Sequence, residues 1–242
     1  YIIADKHLIK ENEEKFYTEK VLKMPYIWNC HSGIDKNLKI NDLPFSKNKF
    51  LTFGCFNNSS KISEKCIITW SKILNEVPNS KLLIKAPSQD AEIAQKKILE
   101  KFIKNSINSN KIIFEKHRPN REDHLKMYNL VDISLDTFPY PGVTTSFESI
   151  WMGVPVLTMK GDNFVSRCGE SINMNLDFKN FIAENENDYI NKAKNYSMNI
   201  SEMIEIRKTI RKKALNSSLF DQHNFGQNFI SLIQKIWFDF KN

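Results

Sequence analysis

The stretch that decides the fold begins Phe50-Leu51-Thr52-Phe53-Gly54 and continues through the polar run Cys55-Phe56-Asn57-Asn58-Ser59-Ser60-Lys61. It ends in an apolar-periodic segment that Ser63 opens and Pro78 stops. The first five residues read as a buried strand. Ile67, Trp70, Ile73, Leu74 and Val77 then recur at spacings of three and four, so they share one stripe of a helix, and Ser63 has the side chain that caps such a helix. The segment is one unit of strand, polar loop and helix.

The same unit recurs downstream. Strands are expected at 82–84, 112–114, 131–135 and 154–158, alternating with helices over 91–103, 121–128 and 144–151. Alternation on this scale predicts an α/β chain, a doubly wound, mostly parallel sheet with helices on both faces. Beyond Gly169 the pattern turns helical, over 189–196, 203–215 and 225–240, with no further strand expected except around Phe181-Ile182. The last helix carries Phe229, Leu232, Ile233, Ile236, Trp237 and Phe240, an apolar stripe that calls for a packing partner. Residues 1–48 differ: a short apolar opening, a charged helical piece over 11–22, then Pro25, Gly33 and Pro44 in a polar connecting stretch. Two regions are therefore expected, 1–48 as a linker or domain tail and 49–242 as the sheet domain with its C-terminal helices. The chain opens in mid-pattern without an initiator Met, as a segment of a longer polypeptide would.

With 41% hydrophobic and 26% charged residues, disordered and collagen-like classes are excluded. No stretch approaches the ~18 apolar residues of a membrane span, and Tyr1-Ile2-Ile3-Ala4-Asp5-Lys6 has no basic leader. A soluble, cytoplasmic protein with no membrane partner is expected. The net charge of +7 is compatible with an anionic partner. The excess, however, is Lys spread on helix faces, as at Lys96, Lys97, Lys101 and Lys104, which reads as solvated surface around a small local anion site. Aromatic residues do not alternate with a basic stripe as stacking platforms would, so no nucleic-acid partner is expected. Cys30, Cys55, Cys66 and Cys168 are far apart and have no zinc-finger spacing, so they read as reduced thiols.

In a doubly wound sheet, ligands sit where strand carboxyl ends lead into helix N-termini, because free amides and the helix dipole favour anions. Three loops qualify. The first, 54–61, gathers amide, hydroxyl and ammonium donors, with Lys61 a point charge for a phosphate. The second, Arg118-Pro119-Asn120-Arg121-Glu122-Asp123-His124, opens a helix, and a lone His in a first turn most often serves surface or packing. The third, Asp136-Thr137-Phe138-Pro139-Tyr140-Pro141-Gly142-Val143-Thr144-Thr145-Ser146-Phe147-Glu148, turns through prolines and a glycine into a helix where Thr144 and Thr145 set hydroxyls beside the first free amides. A pyrophosphate suits that place. By spacing alone Thr145-x-x-Glu148 reads as a capping box, the carboxylate returning to the N-cap amide. As a functional group, Glu148 would accept from ribose hydroxyls.

Phe53-Gly54-Cys55-Phe56-Asn57-Asn58 with Lys61, the string from Leu135 to Thr145, and Glu148 with Trp151-Met152-Gly153-Val154-Pro155-Val156 together resemble the catalytic region of the O-GlcNAc transferase and SPINDLY family, glycosyltransferase family 41. The likeness runs from about residue 50 to the C-terminus, and Tyr1-Ile2-Ile3-Ala4-Asp5, Glu19-Lys20 and Pro25 resemble the end of that family's preceding lobe. The resemblance implies a GT-B fold of two Rossmann-like lobes, of which this chain is the C-terminal lobe with a remnant of the first. It implies Asn58 and Lys61 at the donor diphosphate, Lys61 being catalytic because it neutralises the departing nucleotide. It implies His124 against base and ribose, with Pro119 and Arg121 nearby. Gly142, Val143, Thr144 and Thr145 would surround the diphosphate, and Glu148 would take the ribose hydroxyls. A preorganised Lys with helix amides stabilises charge developing at the β-phosphate without a metal, so neither metal nor cofactor is expected.

Animal members of the family carry Gln at the position of Asn58 and His at that of Val143. SPINDLY-like members match the Asn and have a small hydroxyl residue at the second position. The first group is similar to UDP-GlcNAc enzymes, plant SPINDLY to GDP-fucose enzymes. The expected activity is inverting, metal-independent transfer of GlcNAc from UDP-GlcNAc to Ser or Thr hydroxyls of proteins. GDP-fucose transfer, a non-transferase GT-B enzyme such as a nucleotide-sugar epimerase, and an inactive binding module are the alternatives. The resemblance also implies as partners a nucleotide sugar, a protein acceptor, the N-terminal lobe with the general base, and upstream helical repeats.

Overall fold

The structure, a computed structural model, describes residues 1–32, 36–85, 91–116 and 118–241. Two short strands, β1 (Ile2–Ala4) and β2 (Val21–Lys23), pair in parallel as a separate two-stranded sheet. The main sheet is built from β3 (Leu51–Cys55), β4 (Ser80–Lys85), β5 (Ile112–Glu115), β6 (Ile133–Leu135), β7 (Val156–Met159) and β8 (Ile182–Ala183). Its order is β5-β4-β3-β6-β7-β8, every pairing parallel. This is the doubly wound arrangement the alternation predicts. Successive strands step outward from β3 to β5, then the chain returns to the other side of β3 and steps outward again. The direction of winding therefore reverses between β3 and β6.

Helices α1 (Pro44–Asn48), α2 (Glu64–Glu76), α3 (Ala91–Lys104), α4 (Arg121–Lys126), α5 (Thr144–Trp151), α6 (Cys168–Asn175), α7 (Glu186–Met198), α8 (Ile200–Leu215) and α9 (Gln222–Lys241) complete the chain. On one face, Trp70 and Ile73 of α2, Phe102 of α3 and Tyr189 of α7 pack on Phe53, Leu82 and Ile84. On the other, Leu125 of α4, Phe147 and Trp151 of α5, Ile172 of α6 and Ile210 of α8 pack on Leu83 and Val156. Leu82, Leu83 and Ile84 alternate between these two cores, as the period of a strand requires, and β3 is buried along its whole length because both faces are covered. Ser63 caps α2 as expected, its Oγ accepting from Cys66 N at 3.1 Å, and the same hydroxyl donates to Phe138 O at 2.9 Å. The cap thereby ties α2 to the loop after β6.

The structure departs from the sequence pattern at particular places. The charged piece over 11–22 is not an α-helix: a 3-10 turn at Glu11–Phe16 buries none of its residues, and β2 follows. Without an apolar stripe it has nothing to pack as a helix. Residues 131 and 132 lie outside the strand that starts at Ile133; Asp132 instead uses its carboxylate, accepting from Thr52 N at 2.7 Å and Phe45 N at 2.9 Å. The helix at Arg121 stays α only to Lys126, then tightens into a 3-10 turn over Met127–Leu130. β7 begins at Val156, two residues later than the pattern suggests. Helix α9 forms, but none of its residues is buried, and Trp237, Phe238 and Phe240 are exposed. Gly33 lies outside the described residues.

The first 48 residues are fastened to the sheet domain rather than hanging from it. Asp5 is fully buried; Oδ1 accepts from His7 N and Leu8 N, Oδ2 from Trp28 N at 3.1 Å and from Ser171 Oγ of α6 at 2.5 Å. Arg167, just before α6, reaches back to Leu8 O and forks onto the Glu13 carboxylate, which holds the Glu13 pKa down to about 2. Two buried polar connections thus orient the N-terminal segment.

Gly54 is required by close approach: a Cβ built there would lie 2.5 and 2.6 Å from the two Val131 methyl groups. Gly54→Ala should therefore cost about 1–3 kcal/mol of stability by overpacking. In a Val131→Ala background that cost should shrink, and chemical denaturation of the four members of the cycle measures the coupling.

Candidate functional site

At the reversal between β3 and β6, the loops leaving the two strands face each other across the sheet edge, the place where α/β sheets bind ligands. Their junction is built around Asp136, the first residue after β6, which is 2% exposed. Its Oδ1 accepts from Gly142 N at 2.7 Å, Asn57 Nδ2 at 2.9 Å and Thr137 N at 3.0 Å, and its Oδ2 from Thr158 Oγ1 at 3.0 Å. Burial pushes this carboxyl up to about 6, while the donors from Gly142, Asn57, Thr158 and Thr137 pull the other way. One carboxylate thus fixes the loop after β3, its own loop and β7 with respect to one another.

Asn57, also buried, completes the junction. Its amide donates to Asp136 and, at 2.8 Å, to Thr137 Oγ1, while its Oδ1 accepts from Thr145 Oγ1 at the start of α5. Gly142 packs directly over it; a Cβ there would stand 2.5 Å from Asn57 Oδ1. Only a residue without a side chain lets the backbone run so close before entering α5. Val143 is the N-cap of α5, with no side-chain cap bond, so the first-turn amides of Thr144 and Thr145 have no side chain from the cap to satisfy them. Thr144 is exposed at this end, and Thr145 is half-buried.

The capping-box reading of Thr145 and Glu148 does not hold. Thr145 is inside the helix, and Glu148 Oε2 instead bonds His124 Nε2 at 3.0 Å and accepts from Tyr128 OH at 3.3 Å. The carboxylate is turned away from the backbone and toward α4. His124 sits in α4, whose N-cap Asn120 accepts from Glu122 N and Asp123 N. Its ring packs near Phe56 and Tyr128, with centroids 6.1 and 5.8 Å away, and its Nδ1 lies 2.6 Å from Lys85 Nζ. Burial and the Glu148 charge together raise the Tyr128 phenol well above its ordinary pKa.

Lys61 ends the 3-10 turn Ser59–Lys61 that Asn58 caps, the Asn58 Oδ1 accepting from Ser60 N at 3.0 Å. The Lys61 ammonium donates to Pro141 O at 3.0 Å and lies 3.8 Å from the Tyr140 ring centroid. It therefore stands beside the loop that enters α5, with N–H donors to spare. The structure brings Asn58, Lys61, Gly142, Val143, Thr144 and Thr145 to one sheet edge, and pairs His124 with Glu148 there. Pro119 and Arg121 are exposed at the start of α4.

Asn57, Asp136, Lys85 and Tyr128 organise this region, yet sequence spacing did not single them out. Asn57 and Asp136 had a visible signal, a polar side chain placed where a buried strand ends. Lys85 and Tyr128 had none, because their partners His124 and Glu148 lie 39 and 20 positions away. Among the described residues no helix is long and apolar enough to cross a membrane.

A family model for Glycosyl transferase family 41 matches residues 42–229. A protein of Hordeum vulgare named probable UDP-N-acetylglucosamine--peptide N-acetylglucosaminyltransferase SPINDLY is 30% identical over 98% of this chain and 25% of its own length. The Arabidopsis thaliana protein of the same designation ending in SEC is 25% identical over 98% of this chain and 25% of its own length. The chain thus spans about a quarter of the length of the curated relatives it matches. Among solved structures, a mutant Thermobaculum terrenum O-GlcNAc transferase superposes with a TM-score of 0.90 at 25% identity, covering 99% of this chain and 45% of that one. The Thermosynechococcus elongatus sucrose-phosphate synthase, 11% identical with a TM-score of 0.65 over 96% of this chain and 58% of that one, shares the fold.

The Asp136 carboxyl gives a pH signature. Its folded pKa is about 6 against an ordinary 3.8, so the folded state holds the extra proton between about pH 4 and 6. Stability contributed by this group falls as pH rises through that window, by about 3 kcal/mol for a shift of about two units. Asn at this position can keep an acceptor for Gly142 and Asn57 and turn its amide to Thr158. The difference in unfolding free energy between the parent and Asp136→Asn should therefore move in favour of the variant from pH 4 to 6, as denaturant titration at each pH measures.

Proposed function

We propose, from the premise that this chain belongs to glycosyl transferase family 41, that it is the donor-binding lobe of a protein O-glycosyltransferase. The observation that carries the reading is the convergence of Lys61 and the N-terminus of α5 at the point where the sheet reverses, with Lys61 Nζ 3.0 Å from Pro141 O. An ammonium, the Thr144 hydroxyl and a helix end with unsatisfied amides suit a diphosphate. His124 and Glu148, one helix away, suit a base and the hydroxyls of a ribose. The naming of the SPINDLY and SEC relatives supports UDP-GlcNAc as donor and a peptide as acceptor; transfer to its Ser or Thr hydroxyls is part of the proposal.

In the reaction the acceptor oxygen attacks the anomeric carbon from the face opposite the nucleotide. The carbon–oxygen bond to the β-phosphate breaks, and its electron pair stays on the phosphate oxygen. Lys61, the α5 amides and the Thr144 hydroxyl meet the charge that develops there, which lowers the barrier because these donors are already oriented. The same donors serve without a metal. Acceptor positioning and the removal of its proton belong to the opposing lobe, so residues 1–242 bind the donor and do not turn it over alone.

Calorimetric titration of this chain with UDP, and separately with GDP, with and without EDTA, tests the reading. UDP binding that survives EDTA, and that Lys61→Ala or Glu148→Ala abolishes while circular dichroism stays unchanged, is the expected result. Preferential GDP binding would replace GlcNAc by fucose as the transferred sugar, and binding of neither would contradict the donor site. With the full upstream region restored, Lys61→Ala should lose on the order of 3 kcal/mol of transition-state stabilisation, read as a fall in kcat/KM of about two orders of magnitude.

A further inference from the structure

Lys85 is the last residue of β4, only 7% exposed, and its chemistry is not needed to hold the sheet. Its Nζ lies 2.6 Å from His124 Nδ1, while His124 Nε2 lies 3.0 Å from Glu148 Oε2 and Tyr128 OH donates to the same oxygen. An ammonium has no lone pair, so across this contact Lys85 donates and Nδ1 accepts. A carboxylate has no proton to give, so Nε2 donates and Oε2 accepts. The two ends thus select one form of the ring, neutral with its proton on Nε2, and pin its plane between β4 and α5. Phe56, 4.2 Å from Tyr128 between ring centroids, closes the apolar side of the cluster. Burial lowers the Lys85 pKa, and the nearby Glu148 charge opposes that shift.

We propose that Lys85 is a positioning residue of the donor site: by donating to His124 Nδ1 it sets the tautomer and plane of that imidazole and, through Nε2–H, the orientation of the Glu148 carboxylate that receives the nucleotide. This rests on the donor-site reading given above and adds to it a residue that need not touch the ligand. A lysine at the end of a buried strand takes part because the parallel register sets β4 beside β3, one strand away from the sheet reversal. Holding the carboxylate before the ligand arrives removes an ordering cost from binding, so loss of Lys85 should act on affinity through His124 alone.

The test is a double-mutant cycle on the binding of UDP and GDP by residues 1–242, with Lys85→Met, His124→Ala and the pair. Met keeps most of the volume of the side chain and removes the donor, and Lys85→Arg keeps a donor. Lys85→Met should weaken the nucleotide that the parent binds by about tenfold, Lys85→Arg should recover most of that, and Lys85→Met should have no further effect once His124 is Ala. The 15N resonance of His124 Nδ1 should move in Lys85→Met and return toward its parent value in Lys85→Arg, a signature that loss of packing would not give. Parent affinity retained in Lys85→Met, or effects that add in the cycle, would overturn the positioning role while leaving the donor site standing. Failure of the parent to bind either nucleotide would overturn both.

Discussion

The buried carboxylate of Asp136 is the constraint on which the site depends. A carboxylate withdrawn from water is costly unless its lone pairs are met, and here four donors from three segments meet them. Because those donors come from the loop after β3, the loop after β6 and β7, satisfying the carboxylate sets the relative position of all three. Tyr189 of α7 adds a fourth segment by donating to the Asp136 carbonyl at 3.0 Å. The loops that carry Lys61 and Thr144 are therefore held by a polar junction inside the protein, with Thr144 exposed and Lys61 half-buried outside it.

The junction also separates structural from chemical roles. Asn57 and Asp136 turn their hydrogen bonds inward. Asn58, Lys61 and Thr144, adjacent in sequence or in space, stand at the surface of the same edge. At the proposed diphosphate position Lys61 and Thr144 are donors, while Asp136 lies buried beneath it and Glu148 sits one helix away. Such an arrangement lets an anion approach without meeting a carboxylate first. The second cluster, in which Lys85, His124, Glu148 and Tyr128 satisfy one another, lies at the side where a ribose and base would extend.

Much of this was legible in the sequence for definite reasons. Strand and helix alternated with clear periods from Leu51 onward, so the doubly wound sheet and its ligand edge followed. Ser63 acted as the cap its position suggested, and Lys61, Thr144 and Thr145 reached the common edge expected of them. Thr145-x-x-Glu148 misled because capping boxes are defined by spacing, whereas the N-cap is Val143, two residues before Thr145, and the partly buried His124 offers Glu148 a better partner. The charged run over 11–22 misled because charge pattern alone cannot hold a helix without an apolar face. The strand expected from Val131 starts two residues later, where the Asp132 carboxylate has taken the amides of Thr52 and Phe45. Lys85 was not legible at all, since a contact across 39 residues leaves no local pattern. Helix α9 was legible as a helix with an apolar stripe, and that stripe is exposed along this chain.

The proposed site sets a nucleoside diphosphate across the reversal between β3 and β6, with its phosphates on the N-terminus of α5. A crystal structure of the chain with bound UDP measures it most directly. Phosphate oxygens are expected within hydrogen-bond reach of Thr144, the first-turn amides of α5 and the Lys61 ammonium, with the ribose against Glu148. A nucleotide bound elsewhere, or one whose phosphates contact neither Lys61 nor the first turn of α5, would contradict it.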